Sequence, residues 1–288
     1  MKKTNTGFSG LNTAVKGNNG RVGNIRYYSC GGHTYTRSVT SCCSNPRSAS
    51  QQMGRAKMGN ILGIWGMMKE HIKGYFENAN GKVTPYNIFV RRALKSTPIY
   101  LCKNEHAKVR IAAPYSVAEG SLPAIHCSRG NNQRIVSSID LGEGFEIDAN
   151  TTVRDFIGAV MRNNDDFRLN DEIVFIGLQQ LSGSRLPEVE VSISRISVCG
   201  DVDGCGVDWD ARLHDVVDPT GFSSADNHLA TIASPAAGCY AWIHVRNDRD
   251  TGNVIATSTQ SLFNANEAVV AEYSSEEAFQ RVYDSYLR

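Results

Sequence analysis

Residues 45–76 constrain this chain more than any other stretch. Met58, Ile61, Trp65, Met68, Ile72 and Tyr75 follow one another at steps of three or four, the spacing of one stripe along an α-helix. Asn45 offers an N-cap, Pro46 suits the first helical position, and Asn78 to Gly81 supply a stop. A second set of positions is small: Ala56, Gly59, Gly63 and Gly66. Each glycine inside a helix costs about 1 kcal/mol relative to alanine. Packing, and not intrinsic propensity, must therefore hold this helix. The small positions suit either the shallow side of an ordinary core helix or a face that another backbone approaches closely. The second use makes Gly59, Gly63 and Gly66 candidate oligomer-interface residues.

A chain of 288 residues holds one large domain or two ordinary ones, and 41% hydrophobic content is enough for a packed core. Lys2 and Lys3 are followed by Thr4, Asn5, Gly7 and Ser9, not by the apolar run of an export signal. The most apolar window, residues 61–68, is too short for a membrane span and is flanked by Lys57, Lys69 and Glu70. Synthesis in a host cytoplasm is expected, with residence in a virion if the gene is phage-encoded. The eight cysteines are scattered and are expected to be reduced thiols.

Charge is strongly polarised along the chain. Residues 1–110 hold 18 of the 30 basic residues and only Glu70, Glu77 and Glu105 among the acids, a balance of +15. Residues 111–288 hold the other 12 basic and 26 acidic residues, a balance of −14. Such a split suits mutual neutralisation within one monomer, head-to-tail pairing between copies, or a polyanionic partner for the basic part.

Taken in order, residues 1–20 form a polar, Gly-rich basic arm with Phe8, Leu11 and Val15 as its only sizeable apolar anchors. Those three join the candidate oligomer interface. Residues 21–39 read as one β-hairpin turned at Gly31 and Gly32. Arg21, Arg26 and Arg37 stand beside Tyr27, Tyr28 and Tyr35, a set that could grip a nucleic-acid backbone and stack on bases. Aromatic cross-strand pairs with soluble edges are the more common meaning of that pattern. With Lys2, Lys3 and Lys16, the three arginines are candidate contacts to a polyanion or an acidic partner. Thr84 and Pro85 start a helix with Tyr86, Phe89, Val90 and Leu94 on one face and Arg91 and Arg92 outward.

Residues 99–102 and 109–113 look like strands, and a domain boundary is expected near 110, where the charge changes sign. Strands are then expected at 135–139 and 173–178, the latter central because it is apolar on both faces. The segment 188–199 alternates, with Val189, Val191, Ile193 and Ile196 set against Glu190, Ser192 and Ser194. A helix covers 151–161, a hairpin joins 239–245 to 253–258, and a terminal helix covers 272–287. The fold class is therefore α+β: an N-terminal hairpin and long helix, then a mostly antiparallel β domain with a few helices. The expected divisions are 1–20, 21–110 and 111–288.

No residue set announces a reaction. Asp201, Asp203 and Gly206 match the start of a calcium loop, but its twelfth position, a bidentate Glu in such loops, is Arg212. Cys30, His33, Cys42 and Cys43 have no standard zinc spacing. The seven histidines form no recognisable triad or HExxH pattern. No cofactor is expected.

Several segments together resemble an uncharacterised protein family of Bacteroidota and their phages. They are Gly20 to Gly23, Tyr35 to Arg37, Asn45 to Arg47 with Gln51 and Gln52, Tyr86 to Phe89, Glu119 to Pro123, Ala241 to His244 and Ser258 to Gln260. The resemblance spans most of the chain through loose patterns and assigns no catalytic residue. It implies a virion or assembly component. A non-enzymatic, ring-forming structural subunit of a head–tail or tail structure is the first expectation, a homo-oligomer in contact with other virion proteins. A nucleic-acid-binding protein acting through the basic N-terminal region is the alternative.

Overall fold

Residues 49–72 form the long helix α1 (Ala49–Ile72). The N-cap is Ser48, whose hydroxyl accepts from the Gln51 amide at 3.4 Å, and not Asn45 as the sequence suggests. Arg47 has a left-handed backbone at φ 46°, which breaks a helical path just before that cap. The computed structural model describes residues 2–3, 20–30, 33–39, 47–77, 79, 83–95, 99–130, 134–181, 187–198, 208–216, 222–231, 236–247, 254–256, 262–264 and 272–287.

The chain is α+β and separates into two compact units, residues 1–47 and residues 48–288. The first unit is a four-stranded antiparallel sheet in the order β1 (Lys2–Lys3), β4 (His33–Ser38), β3 (Ile25–Cys30), β2 (Gly20–Val22). Where the sequence suggests one hairpin there are two in succession. Val22 pairs with Ile25 around Gly23, whose φ of 58° suits a tight turn, and Cys30 pairs with His33.

The second unit is layered around a five-stranded sheet. β7 (Asp171–Leu181) lies between β8 (Glu188–Val198) and β11 (Gly238–Asn247), and β11 also pairs with β12 (Val254–Ala256) and β13 (Leu262–Asn264). Val174, Ile176, Leu178, Ala241 and Ile243 face a core built with α1, with α2 (Pro85–Ala93) and with the segment 99–118. Ile173, Phe175, Tyr240 and Trp242 face a second core. That core includes α3 (Val153–Asn163) and the sheet β5–β6–β10–β9 (Cys127–Arg129, Ile135–Asp140, His228–Thr231, Phe222–Ala225). A short helix α4 (Leu213–Val216) and the terminal helix α5 (Glu276–Leu287) complete the described elements. The expected boundary near 110 does not coincide with the division at 47. Residues on both sides of 110 share the first core with the central sheet.

Four local expectations change. Leu94 is exposed, and Arg92 turns inward to pair with the carboxylate of Glu119. Residues 99–102 and 109–113 form no strands, although Ile99, Leu101, Val109, Ile111, Ala112 and Ala113 are buried. Ile196 lies in the opposite core from Val189, Val191 and Ile193, because the step of three from Ile193 crosses the pleat. The hairpin β9–β10 is the fourth difference, with no glycine to mark it in the sequence: its turn residues Asp226 and Asn227 both have positive φ, the turn conformation that glycine more often marks.

Candidate functional site

The N-terminal sheet gathers the largest number of expected contact residues. Register places Arg21 opposite Arg26 and Arg26 opposite Arg37, so three arginine positions form one row across three strands. Two residues along, Tyr28 stands opposite Tyr35, and Lys3 opposite Tyr35 on the far side. Directly opposed residues share a face, and the strand period is two, so both rows lie on the same face. The tyrosine rings stack with centroids 5.6 Å apart and planes at 23°, and the His33 ring stands edge-on to Tyr35 at 6.5 Å.

Tyr27 falls on the other face, with the positions of Val22, Ile25 and Ser38. Ile25 is 43% exposed. The expected set of three tyrosines is therefore divided, two with the arginines and one against them.

Arg26 and Arg37 are both exposed, and among the described residues no carboxylate pairs with either. Residues 1–47 contain seven basic residues and no acidic one, so no counter-charge can come from this unit. Lys2 lies in β1 opposite Thr36. Phe8, Leu11, Val15 and Lys16 lie outside the described residues.

The three helix glycines have different surroundings. A Cβ on Gly59 would come 3.8 Å from the His106 carbonyl oxygen, and one on Gly63 would run into the Arg110 side chain. At these two positions the close neighbour comes from the chain itself. Gly66 is exposed, with nothing within 4 Å of an added Cβ, beside exposed Met67 and one turn from exposed Leu62.

Two further constellations bring titratable side chains together. Asp171 accepts from Arg246 through Nε at 2.9 Å and Nη2 at 2.8 Å, from the Arg168 amide at 2.9 Å, and lies 2.7 Å from His244 Nε2. The His244 ring stacks on Phe167 at 4.0 Å. Burial pushes the Asp171 carboxyl up, but the bonds from His244, Arg246 and Arg168 outweigh it and hold it below the ordinary aspartate range. Asp171 and His244 are each 1% exposed, so a substrate cannot reach them and the cluster ties β7 to β11. Sequence reasoning missed it. Its one signal was the period-two pair His244 and Arg246 at the end of an otherwise apolar strand.

The second is an open groove of about 720 Å³ beside α5, lined by Cys102, Lys103, Asn104, Arg281, Asp284 and Ser285. Burial pushes the Cys102 thiol up, and the charge of Glu105 adds to this, which opposes thiolate chemistry.

Among the described residues no group of three or more His, Cys, Asp or Glu side chains could hold a metal, and no helix is long and apolar enough to cross a membrane. Residues 201–207, Cys42 and Cys43 lie outside the described residues. No protein-family model matches the chain, and neither does a curated protein or a solved structure.

Proposed function

We propose that this protein is a non-enzymatic structural subunit that assembles with copies of itself, of the kind that builds a ring in a phage head–tail or tail structure. The observation that carries the proposal is the N-terminal sheet. None of its residues with a described side chain is buried, and neither hydrophobic core includes a described residue of 1–47. Sheets of this size gain stability by covering an apolar face. Here the face with Ile25 offers that surface. The charge of the unit as a whole, with Lys2 the one basic position on the Ile25 face of the paired strands, favours an acidic cover: residues 1–47 carry only basic residues, whereas residues 48–288 hold 23 basic and all 29 acidic ones. The acidic body of a neighbouring copy is the complementary surface. The resemblance to a family shared by Bacteroidota and their phages supports the virion setting, in which other virion proteins are further partners.

Sedimentation velocity at low and high salt tests the proposal. Salt-sensitive oligomers that form with rising protein concentration are expected. A strict monomer at high concentration in both conditions would overturn it.

A further inference from the structure

We propose that the face of the N-terminal sheet carrying Arg26, Arg37, Tyr28 and Tyr35 binds single-stranded nucleic acid. The assembly proposal uses the opposite face, so the two stand or fall separately.

Three observations lead there. The first is an uncompensated row of like charge. Arginines directly opposite each other in a sheet repel, and Arg26 faces Arg37 with the Arg21 position continuing the row. A unit of 47 residues without one acid cannot offset that repulsion internally. A bound chain of anions would.

The second is the stacked, half-buried pair Tyr28 and Tyr35 on the same face. It lies two residues, roughly 7 Å, along the strands from the arginine row. Cations in one row and rings in the next divide the work as a nucleic-acid strand needs it, phosphates on the first and bases on the second. A duplex hides its base faces and would engage only the arginines. An acidic protein surface offers carboxylates but no base for the rings.

The third is how the two faces divide. In β3 and β4 the other face holds the positions of Ile25, Tyr27, Ser29, Thr34, Thr36 and Ser38, none of them charged, with Lys2 of β1 opposite Thr36. Within β3 and β4 the arginines sit on the tyrosine-pair face alone.

The test is fluorescence anisotropy of the full chain with a labelled 20-nucleotide oligo-dT, a duplex of equal length, and polyglutamate. Oligo-dT is expected to bind at low salt and more tightly than either competitor. Single strands lose about 0.7 in the slope of log affinity against log salt for each phosphate contact removed. Arg26→Gln with Arg37→Gln should therefore flatten the slope by about 1.4. Tyr28→Ala with Tyr35→Ala should weaken oligo-dT binding at least tenfold with the slope unchanged. Tyr27→Ala should leave affinity within twofold.

Because the alanine pair could disturb the sheet, Tyr28→Phe with Tyr35→Phe is the companion: it keeps the rings and should keep the affinity. Absence of oligo-dT binding at low salt overturns the proposal. So does loss of binding in the Phe pair. Equal binding of oligo-dT and polyglutamate, indifferent to the tyrosines, also overturns it and assigns the face to an acidic protein.

Discussion

Asn60 and Gln180 explain why a segment that looks like a strand is not one. Val109, Ile111 and Ala113 alternate and are fully buried, as a strand would require. Yet at the centre of the segment the Ile111 amide and carbonyl, the Ala112 amide and the Arg110 carbonyl bond to side chains, while the Val109 amide turns back to the Glu105 carbonyl. Asn60 donates to the Ile111 carbonyl and accepts from its amide, both at 3.0 Å, and donates to the Tyr115 hydroxyl at 2.9 Å. Gln180 accepts from the Ala112 amide at 2.9 Å and donates to the Arg110 carbonyl at 3.2 Å. Two amides replace a ladder, and nothing local in 109–113 signals it; the partners lie 51 and 68 residues away.

Asp171 offers the test at this scale. Its carboxyl is held below its ordinary value, so its contribution to stability is complete above that value, about 3.9, and is lost as pH falls through the folded-state value. Asp171→Asn leaves Arg246 and His244 in place without their carboxylate. It should cost about 3–5 kcal/mol at pH 7 in urea unfolding, and less near pH 3. An equal cost at both values would show that the ionised carboxylate is not what holds β7 to β11.

At the scale of elements, periodicity was legible wherever burial is one-sided. The stripe Ile61, Met68, Ile72 of α1 is buried as spaced, and α3 buries Val153, Phe156, Ile157 and Val160 behind a capping box of Thr152 and Asp155. Turn chemistry was legible at Gly23 only after pairing was known, and at Asp226 and Asn227 not at all. The helix glycines separate into two kinds. Gly59 and Gly63 lie close to the chain's own 106–110 segment, whereas Gly66 lies open. Gly66→Ala should therefore stabilise the isolated chain by about 1 kcal/mol in urea unfolding. If α1 also packs against a neighbouring copy there, the same substitution should weaken self-association in sedimentation. Destabilisation of the dilute monomer would contradict the open environment.

For the whole molecule, the sign change in charge near 110 suggested a boundary that packing does not honour. Charge runs along the sequence, but the core is assembled in space: α1 and the buried 109–118 segment lie on one side of the β7–β11 sheet. The basic sheet of residues 1–47 is a compact unit of its own. The central claim is that this sheet is a docking module, stabilised by what covers it. Backbone hydrogen exchange across residues 20–38 in nucleic-acid-free protein tests that claim most directly. Exchange should be fast in dilute monomer and should slow as protein concentration rises and copies associate, while β7 and β11 stay protected throughout. Protection of 20–38 that is already high in the dilute monomer, or that never changes on association, would contradict it.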